Sequence, residues 1–133
     1  MLGACATAPG PKFLGIATPV KNRGDVYLYR TSAIFAIAQA FEVTLDGRKV
    51  GELYNASYLH LRLPAGKFSL KVSPGGLSES STRQIQPKPG KPIFFQYDFV
   101  TGPLANGFFV GSSIDPRSEA QALHDLKALN SAK

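Results

Sequence analysis

Phe41-Glu42-Val43-Thr44-Leu45-Asp46-Gly47-Arg48-Lys49-Val50-Gly51-Glu52-Leu53 is followed by Tyr58-Leu59-His60-Leu61-Arg62-Leu63-Pro64-Ala65-Gly66-Lys67-Phe68-Ser69-Leu70-Lys71-Val72. Apolar and polar residues alternate through both runs. A period of two puts one side of a strand into a core and the other into water. Asp46-Gly47 between two such runs is a strong hairpin signal, because a tight primed turn needs positive φ at its centre. Pro64-Ala65-Gly66-Lys67 marks a second corner. The stretch reads as a β-meander in the middle of a small antiparallel β-sandwich. Phe41, Val43, Leu45, Leu59, Leu61, Leu63, Phe68, Leu70 and Val72 are expected inside, with Tyr58, His60 and Arg62 turned out.

The flanking segments extend the same grammar. Val26-Tyr27-Leu28-Tyr29-Arg30 is a first strand, opened by Gly24-Asp25. Thr82 to Gln86 suits a short edge strand, and Pro87-Lys88-Pro89 a turn, since proline cannot donate to a ladder. Ile93, Phe95, Tyr97 and Phe99 form the aromatic face of the strongest strand, and Phe108-Phe109-Val110 a last one. The unperiodic run from Thr31 to Ala40, with Ala33-Ile34-Phe35-Ala36-Ile37-Ala38 at its centre, is expected to pack over one end of the sandwich, the alternative being an apolar lip that meets a partner or a lipid. Asp115 followed by Pro116 predicts the start of a helix, whose stripe is Ala122, Leu123, Leu126 and Leu129. Domain organisation follows: a tether over residues 1–22, the sandwich over 23–114, and a C-terminal helix over 115–133.

Composition narrows the function classes. With 133 residues, 44% of them hydrophobic, the chain can build one self-sufficient core. Its formal charge is +6, yet Lys and Arg are dispersed and never form a run of four. A nucleic-acid surface clusters basic residues beside stacking aromatics, so no nucleic-acid partner is expected. A mild positive balance suits an anionic membrane surface or cell-wall polymer. The one cysteine, Cys5, excludes an intrachain disulfide. No apolar run approaches the roughly 18 residues a membrane helix needs.

Catalytic patterns are sparse. His60 lies on a strand and His124 on the helix, whereas a metal site wants several converging donors. Gly111-Ser112-Ser113 lacks the second glycine of a nucleophile elbow. Cys5 has no base nearby in sequence, and Gly75-Gly76 precedes no helix signal, so it is no phosphate cradle. Whether two carboxylates pair across strands depends on register, which spacing does not fix. No enzyme activity, cofactor or metal is expected.

Two resemblances bear on compartment and role. Leu2-Gly3-Ala4-Cys5 resembles the lipobox of bacterial lipoproteins, in which the cysteine thiol takes a diacylglyceryl group after cleavage on its N-terminal side. The charged and apolar parts of such a signal peptide would lie upstream of Met1. Ala6 after the cysteine is not the Asp of inner-membrane retention, which implies an outer-membrane lipoprotein facing the periplasm or surface. Residues 6–22, with Pro9, Pro11 and Pro19, then read as a flexible spacer.

The second resemblance rests on Val26-Tyr27-Leu28-Tyr29-Arg30, Leu45-Asp46-Gly47-Arg48-Lys49-Val50-Gly51-Glu52-Leu53 and the run from Tyr58 to Leu70. These are similar to a family of small bacterial lipoproteins of unknown function. That family has a β-sandwich related to the carboxypeptidase-regulatory and PEGA-type modules, also described as transthyretin-like. The similarity spans about residues 25–100 and implies no catalytic residues. It implies a non-enzymatic, lipid-anchored envelope protein that binds an unknown envelope protein or cell-wall polymer. The alternative is an accessory or inhibitor/immunity lipoprotein of a secretion or toxin system, by fold analogy alone.

Overall fold

A computed structural model describes residues 8–32, 40–74, 80–101 and 109–133. The lipobox-like tetrapeptide with Cys5, the apolar run at 33–38, Gly75-Gly76, the loop at 102–107 and Phe108 lie outside the described residues. The chain is a small β-sandwich of two sheets with one short C-terminal helix. One sheet holds β1 (Arg23–Arg30), β4 (Ser57–Pro64), β7 (Ile93–Thr101), β8 (Phe109–Arg117) and β9 (Asn130–Ser131), in the order β8-β7-β1-β4-β9. The other holds β2 (Phe41–Leu45), β3 (Arg48–Leu53), β5 (Phe68–Ser73) and β6 (Ser81–Ile85), in the order β3-β2-β5-β6. Neighbours pair antiparallel except β1 with β7 and β4 with β9, which run parallel.

The Asp46-Gly47 hairpin forms as the sequence predicts, with φ of 49° and 84° at its two central residues. Asp46 also accepts a 2.7 Å bond from the Ser69 amide, tying the turn to β5. Val43 lies opposite Gly51 and Thr44 opposite Lys49, so a bulge falls at Val50 beside the glycine. The inward phase is as read: Phe41, Val43, Leu59, Leu70 and Val72 are all buried in one core between the sheets.

After this hairpin the chain departs from a simple meander. β4 leaves the sheet of β2 and β3, crosses at a corner where Ala56 has φ of 54°, and joins β1 in the opposite sheet. The Ser57 hydroxyl holds that corner, accepting from the Tyr54 amide and donating to the Tyr54 carbonyl, both at 2.8 Å. β4 carries bulk on both phases, Leu59 and Leu61 on one and Tyr58 and His60 on the other. Such a strand gains most where both faces are covered.

The helix boundary also differs from expectation. Asp115 and Pro116 belong to β8, opposite Gln96 and Phe95. Proline is tolerated there because β8 is the edge of its sheet. The cap is Ser118, whose hydroxyl accepts from the Gln121 amide at 3.2 Å, and α1 spans Glu119–Leu126. Ser-x-x-Gln is a capping-box spacing that reads as well as Asp-Pro in sequence. Residues past the helix are not helical, and β9 lays them beside β4.

The largest correction concerns the segment before β1. Residues 10–18 are stitched to the sheet rather than trailing from it. The Gly10 amide donates to the Ser131 carbonyl at 2.9 Å, the Ser131 amide to Pro11 at 2.8 Å, and the Phe13 amide to Leu129 at 3.0 Å. Gly10 is needed here, since a Cβ would sit 2.6 Å from the Ser131 Cβ and nearer still to the Lys133 carbonyl. Phe13 packs edge-on against Tyr27 and Tyr58. With Ala122, Leu126, Leu129, Tyr29 and Phe94 it forms a second core on the outer face of the five-stranded sheet. The molecule therefore has three layers, and the outer layer is built by both ends of the described chain.

Candidate functional site

Register brings the notable polar groups together. β1 and β4 place Asp25 opposite Arg62, Tyr27 opposite His60, and Tyr29 opposite Tyr58. All six lie on the phase turned away from the main core. The phase expected to be wet is covered in its middle by the second core, and its ion pairs lie at the two ends.

At the first end Asp25 is the hub. It is 3% exposed, and its Oδ1 accepts from Arg62 Nε at 2.8 Å while His60 Nε2 lies 2.6 Å from the same oxygen. His60 reaches it along the cross-strand diagonal. The imidazole stacks flat on Tyr27, 4.4 Å between centroids and 2° between planes. Burial pushes the Asp25 carboxyl upward, but hydrogen bonds and charge from Arg62 and His60 outweigh it and hold the group below its ordinary value. Arg62 also donates through its terminal nitrogen to the Thr18 carbonyl at 2.6 Å, and the Tyr27 hydroxyl accepts from the Ala17 amide at 2.9 Å. The cluster clamps residues 17 and 18 onto the sheet.

At the second end Arg117 donates to Gln96 at 3.0 Å and to Asp98 at 3.2 Å, and Gln96 donates to Asp98 at 3.0 Å. Burial raises the Asp98 carboxyl above its ordinary value, with Arg117 opposing and Asp115 adding to the rise. The Asp98 side chain is nonetheless 42% exposed, so this is a solvated surface network. Between the two ends the Tyr29 hydroxyl donates to Asp125 of α1 at 2.7 Å, and burial followed by that carboxylate raises the phenol well above its usual range.

Two of the clefts among the described residues flank the outer layer. One of about 420 Å³ lies between the turn at Gly90-Lys91 and the start of α1, with Arg117 on its wall. The other, about 330 Å³, runs between residues 13–16 and α1, and is lined by Phe13, Leu14, Gly15, Ile16, Leu123 and Lys127.

Of the residues weighed from sequence, His60 is drawn into the Asp25 cluster, while His124 is exposed on the helix and meets no such group. His60 meets one buried acid together with a guanidinium, in a clamp that also holds residues 17 and 18. Among the described residues no group of three or more His, Cys, Asp or Glu could hold a metal ion. Among them, too, no helix is long and apolar enough to cross a membrane. The pairing of Asp25 with Arg62 and His60 is not evident from sequence. The available signal is that Asp25, Tyr27 and Tyr29 share one phase of β1 as Tyr58, His60 and Arg62 share one phase of β4. A nominally wet face that is half aromatic is a covered face.

Among curated proteins and among solved structures, none matches this chain. A family model described as protein of unknown function, DUF2846, matches residues 20–113, from just before β1 to within β8. The match takes in β1 to β7 and the start of β8, with the Asp25 cluster and the Asp46-Gly47 hairpin, and the chain belongs to this family of proteins of unknown function.

Proposed function

We propose that the protein is a lipid-anchored component of the bacterial cell envelope, held by a diacylglyceryl group on Cys5. Its three-layered sandwich serves as a non-enzymatic binding or structural module for an envelope protein or cell-wall polymer. The observation that carries this reading is the tetrapeptide Leu2-Gly3-Ala4-Cys5, followed five positions later by a backbone fastened to the sheet at Gly10. Five residues reach at most about 18 Å when extended. A lipid on Cys5 would therefore hold the sandwich close to the bilayer, with a defined corner toward it. The wall-facing outer-membrane leaflet, or the cell surface, is the site that Ala6 after the cysteine favours. The polar clusters suit the structural half of the role, since Arg62 and Tyr27 fasten residues 17 and 18, and Tyr29 fastens α1, to the five-stranded sheet.

Labelling with radioactive palmitate in a bacterial host that processes lipoproteins tests the anchor, using the natural gene with its own upstream sequence. The expected result is a labelled protein in the outer-membrane fraction, with Cys5→Ser losing the label. An unlabelled wild-type protein in the soluble fraction would overturn the proposal.

A further inference from the structure

The cleft between residues 13–16 and α1 has an unusual occupant of its rim. Leu14 is 95% exposed; the other exposed large hydrophobic among the described residues, Val20, is 42% exposed. Single exposed leucines are common on protein surfaces, but this one is held out. Phe13 beside it is buried, and its amide is bonded to Leu129, so the backbone that carries Leu14 is fixed to the sheet. Phe13 faces inward and Leu14 faces outward, and Ile16 and Leu123 continue the apolar surface. Lys127 closes the cleft at the helix C-terminus. The nearest acid on that helix, Asp125, is engaged by Tyr29 and Gln121, which leaves Lys127 the ionic group of the cleft wall.

An apolar rim beside a lysine is the arrangement that seats in a bilayer interface, leucine among the upper acyl carbons and ammonium at the lipid phosphates. The place of the cleft in the chain points the same way, for Leu14 lies nine residues after Cys5. The net charge of +6 favours an anionic leaflet. We infer that the Leu14 cleft is the membrane-contacting corner of the domain, seated in the headgroup region of an anionic leaflet. The inference rests on the lipid-anchor reading for the direction in which the corner is held. The contact itself needs only Leu14, Leu123 and Lys127.

The chain contains no tryptophan, so Leu14→Trp gives a single fluorescent reporter in the full-length protein. With Cys5→Ser as the soluble background, vesicles of phosphatidylcholine containing phosphatidylglycerol are expected to shift its emission to the blue and shield it from aqueous acrylamide. Phosphatidylcholine alone should do so less. Lys127→Glu should lower partitioning at least about fivefold, the worth of one lysine near an anionic surface. Arg48→Trp, on the exposed hairpin of the other sheet, should keep a water-like spectrum. The surface and the anchor fail separately. Palmitate on Cys5 with a Leu14→Trp signal that stays fully quenched on anionic vesicles overturns the surface and leaves the anchor standing. No palmitate, with the Leu14→Trp fluorescence shielded on the same vesicles, upholds the surface and removes the anchor. A blue shift that depends on protein concentration and not on lipid overturns the inference in favour of a second copy of the chain.

Discussion

Replacing Phe41 by alanine is expected to cost about 4 kcal/mol of folding stability, within the usual range for truncating a buried phenylalanine. Phe41 is fully buried in the main core and meets Tyr97 edge-on at 5.6 Å. The guanidinium of Arg30, itself fully buried, lies 4.0 Å over its ring. Burial draws the Arg30 group down to about 10, with Tyr97 opposing, a sign of how far it has been taken from water. The ring offers that cation a negative face, and the Leu53 carbonyl accepts from it at 2.9 Å. Phe41→Leu separates the two contributions. It keeps most of the volume and should cost about 1.5 kcal/mol, chiefly the lost face of the ring. Chemical denaturation of the three proteins measures this. A loss below about 1 kcal/mol for the alanine variant would place Phe41 outside the core.

Asp25→Ala should lose about 2 kcal/mol at neutral pH and should flatten the acid limb of the stability curve. Hydrogen bonds to a charged group contribute more than neutral ones, and Asp25 receives two. The partners temper the effect, since the His60 and Arg62 side chains are 26% and 33% exposed and can rehydrate when the carboxylate is gone. The sign of the pH dependence follows from the direction of the shift. A carboxyl held lower in the folded protein than in the unfolded chain adds stability above the unfolded value, about 3.9. That contribution disappears as pH falls through the still lower folded value. Wild type and variant should therefore differ most above about pH 5 and converge in strong acid. A gap that stayed constant down to pH 2 would show that Asp25 acts by packing alone.

Much of the sandwich can be read from period and punctuation. Phe41, Val43 and Leu45 alternate cleanly with polar neighbours, and Asp46-Gly47 can turn in few other ways. Pairing across sheets cannot be read this way, because Leu59 and Leu61 would face a core equally well in either sheet. The choice depends on the other phase of β4, where Tyr58 and His60 find Phe13 and Tyr27. Those contacts join residues far apart in sequence, beyond any local pattern. The same limit explains the N-terminal segment. Pro9, Pro11 and Pro19 suit an extended strap as well as a loose spacer, and only Phe13 and Ile16 hint at which one forms. For Asp115-Pro116, local helix-start chemistry lost to Ile114, which is buried against the main core and keeps its strand in the sheet. Of the candidate site, His60 is visible in sequence as a residue but its partners are not, since Asp25 lies 35 positions away.

Hydrogen exchange at the backbone amides of Gly10, Phe13 and Ala17 tests the docked segment most directly. Their bonds to Ser131, Leu129 and the Tyr27 hydroxyl predict protection of at least about a hundredfold over a free peptide, as for other packed elements. Exchange at free-peptide rates, with β1 and β4 still protected, would contradict the three-layer account and restore residues 8–22 to a loose tether.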